Sequence, residues 1–158
     1  MYAALKNTRD CALGGDGRMR ILVIDAQGGG IGKQLVAAIK ENIPDAVVTA
    51  VGTNFAATSA MQKAGADNAA TGENPIVVNA RKADYIVGPI GIVIADALLG
   101  EITPTMAEAV AQSDAKRILI PMNHCDNIVV GVEGLNIGKM IKEVVNIIKE
   151  NEAECCQG

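Results

Sequence analysis

Apolar and polar positions along this chain group into short runs that alternate between two periods. Arg20 to Asp25 reads Arg-Ile-Leu-Val-Ile-Asp, an apolar run closed by a polar residue. Glycines and then an amphipathic stretch follow, so the pattern predicts strand, turn and helix. The helix is expected over Ile31 to Glu41, with Leu35, Val36 and Ile39 on one face, and Pro44 ends the connection into a second strand, Ala46 to Val51. Gly52-Thr53-Asn54 forms the exit to a helix over Phe55 to Lys63, which stops before the left-handed cap Gly65. Asn68 to Ala70 reads as a third strand. Thr71-Gly72-Glu73-Asn74-Pro75 is a loop in which Asn74 caps, and Pro75 begins, a helix running to Arg81. Tyr85 to Val87 is the fourth strand and leaves through Gly88-Pro89-Ile90-Gly91 into a nearly all-apolar helix that ends at Gly100. Thr103 and Pro104 restart a helix to Ala111, and Arg117 to Ile120 is a fifth strand closed by Pro121. Asn127 to Val132 reads as a sixth strand. Leu135 to Asn151 is a terminal amphipathic helix with Ile137, Ile141, Val144, Val145 and Ile148 inward.

Strands alternating with helices imply a three-layer, doubly wound α/β fold of Rossmann-like type, with a mainly parallel sheet of five to six strands. At 158 residues and 49% hydrophobic content, the chain suits one domain. The expected division is a disordered leader or extended start over 1–18, a ligand-binding domain over 19–151 and a flexible tail over 152–158. Met19, directly before the first strand, fits a start upstream of the natural one. With no Trp, two Tyr and one Phe, the core must be aliphatic.

A formal net charge of -4 argues against nucleic acid as a partner. The longest apolar run, Ile90 to Leu99, is interrupted by Gly91 and Asp96 and is too short to cross a membrane. Cys11, Cys125, Cys155 and Cys156 show no metal-site spacing and no disulfide framework, which points to a reducing, cytoplasmic setting. No metal is expected.

Glycines and small polar residues collect after the strands, where open parallel sheets bind ligands. Gln27, Gly28, Gly29, Gly30, Ile31 and Gly32 bring backbone amides to a helix start, where the dipole favours phosphate or carboxylate. This is not a phosphate-binding Walker loop, because Gln34 stands where the magnesium-binding Ser or Thr belongs. Nor is it the strict dinucleotide fingerprint, since Lys33 holds the third Gly position. Thr53 and Asn54 stand where an NAD domain supplies an acid to ribose; both also suit capping. Thr71, Gly72, Glu73, Asn74, Gly88, Pro89, Ile90, Gly91 and Asn123 complete the expected ligand-binding set. Proton transfer, where a reaction occurs, would draw on Glu73, Asp25 or His124. Asp96 is the one charge in the apolar helix.

Gln27-Gly28-Gly29-Gly30-Ile31-Gly32-Lys33, Ala57-Thr58-Ser59-Ala60-Met61, Ala70-Thr71-Gly72-Glu73-Asn74 and Gly88-Pro89-Ile90-Gly91-Ile92-Val93-Ile94-Ala95 together resemble an uncharacterised bacterial, clostridial-type Rossmann-like family, Domain of Unknown Function 3842. The resemblance covers Met19 to about Asn151 and implies a cytoplasmic bacterial protein, without implying a reaction. Family members usually carry Gly where Ala26 stands.

The first functional expectation is binding of a nucleotide or other anionic, phosphorylated metabolite, with NAD(P) or another nucleotide as the cofactor class. The alternative is a non-catalytic regulatory or assembly module, homodimeric or larger through the Ile90 to Leu99 region. A metal enzyme built on His124, Cys125 and Asp126 ranks below both, because three contiguous residues furnish a tetrahedral site poorly.

Overall fold

The computed structural model describes residues 17–122, 127–132, 134 and 136–155. Its elements are β1 (Arg20–Asp25), α1 (Gly30–Asn42), β2 (Val47–Gly52), α2 (Phe55–Lys63), β3 (Asn68–Thr71), α3 (Glu73–Ala80), β4 (Tyr85–Pro89), a 3-10 turn (Ile90–Val93), α4 (Pro104–Ala111), β5 (Lys116–Ile120) and α5 (Ile137–Cys155). The strands form one sheet in the order β3-β2-β1-β4-β5, and every pairing is parallel.

β1 lies at the centre, and its run Ile21 to Ile24 is wholly apolar because both its faces are covered. Ile21 and Val23 join a core with Leu35, Val36 and Ile39 of α1, Met61 of α2, and Ile141, Val144, Val145 and Ile148 of α5. Leu22 and Ile24 point the other way, into a core with Ile76 of α3 and Met106, Ala107 and Val110 of α4. The period-2 alternation of one strand thereby separates two helical layers. The result is the three-layer Rossmann-like α/β fold. The two edges are guarded differently: β3 has only four residues, whereas β5 presents exposed Lys116 and Arg117. Tyr85 ties α5 to β4 by donating its hydroxyl to Glu152 Oε1 at 3.0 Å. No helix among the described residues is long and apolar enough to cross a membrane.

Four expectations need correction. Residues 127–132 form no strand: Ile128 and Val130 are 86% and 95% exposed, and Gly131, at φ 89, turns the chain. The Ile90 to Leu99 run is not a helix beyond the 3-10 turn. Asp96, Leu98, Leu99 and Gly100 all take left-handed backbone angles (φ 57 to 82), and turn bonds such as Ile102 N–H to Ala97 O fold the segment back. Packing explains this. Ile92, Ala97 and Ile102 are all buried in the second core, and positions five apart lie about 140° apart around an α-helix, so one helix could not bury them together. The β-branched Ile90, Ile92, Val93 and Ile94 also disfavour helix. Lastly, α3 begins at Glu73 with Gly72 at its cap rather than with Asn74 as cap. α5 also runs on to Cys155, past the expected end at Asn151.

Candidate functional site

Because all strands are parallel, the exits of β1, β2 and β3 lie side by side on one rim. Backbone bonds staple them there: Thr53 N–H donates to Asp25 O at 3.1 Å, and Gly72 N–H to Gly52 O at 2.9 Å. β1 and β4 are neighbours whose chains leave toward opposite halves of the sheet, so the crevice between their carboxyl ends is the topological switch point.

The loop from β1 to α1 is bent by Gln27 and Gly29 at φ 51 and 68, and Gly29 N–H turns back onto Ala26 O at 3.0 Å. Its glycines do different work. A Cβ on Gly29 would meet Ala57 Cα at 2.7 Å, and one on Gly32 would meet Met61 Sδ at 2.5 Å and Asp25 Cβ at 2.7 Å. Those two let the loop and α1 press against α2 and β1. Gly28 and Gly30 have no such reason. Neither has a positive φ, and a Cβ on either would meet nothing within 4 Å. Both are exposed, and among the described residues nothing accepts from their N–H groups.

Asp25 ends β1 at only 5% exposure. Its Oδ1 accepts from Ala26 N–H at 2.8 Å and its Oδ2 from Gly32 N–H at 2.6 Å. Burial pushes its carboxyl above the ordinary aspartate range. The amides of Gly32, Ala26 and Ile31 pull the other way, the nearby Glu101 charge adds to the rise, and burial wins. The first turn of α1, which has no acidic residue on its exposed side, is thus partly neutralised from inside by the strand that leads into it.

A carboxylate absent from the expected set sits on the same rim. Glu101 Oε2 accepts from Gln27 N–H at 2.9 Å, Thr53 Oγ1 at 2.5 Å and Asn54 Nδ2 at 2.9 Å. Partial burial pushes its carboxyl up, but these donors together hold it below the ordinary glutamate range. The sequence signal was present: a lone Glu after Gly100, in the loop that follows β4. A continuous helix over Ile90 to Leu99 would have carried it roughly 15 Å from the strand end. The folded-back turns return it to the rim.

The remaining expected residues are spread more widely. Thr71 shares a 2.7 Å hydroxyl bond with Thr58 at the exit of β3. Gly72, at φ 105, leads into α3, and Asn74 is exposed in the first turn of that helix. Glu73 accepts from the Thr103 hydroxyl, which also caps α4. Gly88 and Pro89 belong to β4 and are buried, as is Gly91, while Ile90 is half-buried. Asp96 is exposed and does not enter the crevice. Asn123, His124, Cys125 and Asp126 lie outside the described residues.

Beyond β4, Pro89, Ile90, Gly91, Ile94, Ala97, Leu98, Met122 and Asn127 enclose a small apolar gap of about 20 Å³. A larger cleft of about 250 Å³ lies at the opposite end of the sheet, lined by Arg18, Arg20, Asn68, Asn79 and Lys82 among others. That end receives the carboxyl ends of helices, whose partial negative charge accounts for basic residues there. Convergent helix amino ends, the feature that favours an anionic ligand, belong to the rim alone.

Residues 20–153 match the family described as Domain of unknown function (DUF3842), and the chain belongs to that family. No curated protein matches it.

The Asp25 contacts yield a stability test. Asp25→Asn replaces an acceptor oxygen by a donor facing a backbone N–H and is expected to cost about 1–3 kcal/mol at neutral pH. Asp25 has a raised folded-state pKa, so the folded protein binds its proton more readily than the unfolded chain does. The stability this confers is complete below pH 3.8 and is lost as pH rises through the raised value. The advantage of wild type over the variant in urea unfolding should therefore be largest in acid and shrink toward neutrality. A difference that grows with pH would contradict this assignment.

Proposed function

We propose that this family member binds a nucleotide or another phosphorylated, anionic small metabolite at the carboxyl rim, beside the exit of β1. The observation that carries the reading is the pair Gly28 and Gly30. Each is exposed, without a positive φ, with open space at the Cβ position and an N–H that nothing among the described residues accepts. A residue with neither a conformational nor a packing need for glycine still needs one where a ligand approaches the main chain closely. Lys33 supports the reading. It is an exposed cation in the first turns of α1, where the helix dipole disfavours positive charge unless an anion joins it. Phe55, the only phenylalanine, is 77% exposed directly after Asn54 and offers a face to a planar ring such as a nucleobase.

Asp25 serves the loop rather than a substrate, since both its oxygens are engaged and it is buried. The proposal therefore covers binding and assigns no reaction. NAD(P) stays within the ligand class, although the β2 exit itself carries no acid. The cytoplasm is the proposed location, on the strength of a thiol pattern with no disulfide framework.

A thermal-shift panel of NAD, NADP, ATP, AMP, flavin mononucleotide and sugar phosphates tests the reading. At least one of these anions at millimolar concentration should raise Tm. Gly28→Ala and Gly30→Ala should leave the unliganded stability within about 0.5 kcal/mol of wild type yet weaken that ligand roughly tenfold, equal to about 1.4 kcal/mol. Gly32→Ala, by contrast, should cost about 1–3 kcal/mol through overpacking. No stabilisation by any anion would defeat the proposal.

A second reading is favoured by a separate observation. Phe55, Leu99, Ile128 and Val130, all more than three-quarters exposed, follow β2, β4 and β5 and so share the carboxyl end of the sheet. Apolar side chains left open at one end suit a non-catalytic assembly module that pairs with a second copy. Sedimentation at micromolar concentration should then show a dimer that Leu99→Asp dissociates; a wild-type monomer removes this reading.

A further inference from the structure

Gln27, Thr53 and Asn54 present only donors to Glu101. Asn54 cannot reverse its amide, because its Oδ1 already accepts from Ala57 N–H at 2.9 Å as the cap of α2. Its Nδ2 is thereby turned to the rim, where it bonds Gln27 O at 3.0 Å and Glu101 at 2.9 Å. The Thr53 main chain is pinned to β1 through Asp25 O, and Gln27 presents its N–H from a left-handed backbone. The cradle is thus set by β1, β2 and α2, none of which depends on Glu101 for its position.

What fills the cradle is a single carboxylate oxygen. All three donors converge on Oε2, and among the described residues nothing donates to Oε1 and no Lys or Arg pairs with Glu101. A charge held by neutral N–H and O–H donors, without a counter-ion, is bound in the way a protein binds a free oxyanion. Glu101 arrives from a segment with its own anchor. Ile102 is fully buried, so Oε2 can leave by rotation of the Glu101 side chain alone. The preceding turns hold Asp96, Leu98 and Leu99 in left-handed angles, a conformation that favours glycine.

We propose that Gln27 N–H, Thr53 Oγ1 and Asn54 Nδ2 form an oxyanion subsite which Glu101 occupies in cis, so that a carboxylate or phosphate group of the ligand enters by displacing the Glu101 side chain. The inference rests on the rim reading above and deepens it. The ligand's oxyanion contacts the exits of both β1 and β2, and Glu101 sets the threshold for entry. A dinucleotide's sugar and phosphate would meet the same gate, because Glu101 bridges the two loops between which they would lie.

The experiment uses the whole chain and two probes, inorganic phosphate and malonate, titrated by calorimetry into wild type, Glu101→Ala and Glu101→Gln. Glu101→Ala empties the cradle and is expected to bind a probe at least tenfold more tightly than wild type. Glu101→Gln retains an acceptor oxygen on the donors but loses the charge, so it should fold as wild type does and gain severalfold. Adding Thr53→Val to either variant should abolish most of the gain. A gain for phosphate alone assigns a phosphoryl ligand, and a gain for malonate alone assigns a carboxylate. Equal affinities across wild type and both variants, with binding still sensitive to Gly28→Ala, would overturn the subsite and leave the rim reading standing. No binding of either probe in any variant would overturn both.

Discussion

Asp25 closes β1 with a buried carboxylate set against the N–H groups of Ala26 and Gly32, and this contact decides the shape of the loop between them. The strand must stop and the helix must start within a few residues, with two backbone donors turned inward where no water reaches. An acceptor on the last strand residue satisfies both. Gly32 follows from the same contact, because α1 approaches Asp25 so closely that a Cβ there would meet the Asp25 side chain. Once those donors are spent inward, the amides of Gly28 and Gly30 are left facing outward. The division of the loop into a half that serves the fold and a half open to a ligand originates in one side chain.

The rim is governed by a balance of donors and acceptors rather than by net charge. Gln27, Thr53 and Asn54 supply donors, Gly28 and Gly30 add two more, and the chain answers with Asp25 from beneath and Glu101 from above. Thr53 is positioned by a staple between neighbouring strand exits and Asn54 by its role as a helix cap. Such a rim is preorganised: the donors point to the same place before anything binds, which lowers the cost of binding.

The fold was legible in the sequence where burial imposes a clean period. β1, with apolar side chains on both faces, and α1, with Leu35, Val36 and Ile39 on one, could be read directly and agree with the structure to within a residue or so. Legibility failed where apolar residues serve irregular backbone. Ile90 to Leu99 looks like a helix because its composition is apolar, yet Ile92, Ala97 and Ile102 are buried by turns that no propensity announces. Ile128 and Val130 resemble strand residues but are exposed and join no strand among the described residues. The candidate site was legible in proportion. Gly28, Gly30, Thr53 and Asn54 were marked by their place after strands. Glu101 was missed because its position depends on tertiary turns, and the separate roles of adjacent glycines appear only when their neighbours are known.

The most direct test of the account is an amide-resolved nuclear magnetic resonance titration with AMP. Binding at the open half of the loop should shift the Gly28 and Gly30 N–H signals in step with occupancy and slow their exchange with solvent. The Ala26 and Gly32 signals should stay protected and nearly unmoved, because Asp25 keeps them. Shifts centred on Gly32 and Ala26, or confined to Asn68 and Asn79 at the amino end of the sheet, would contradict it.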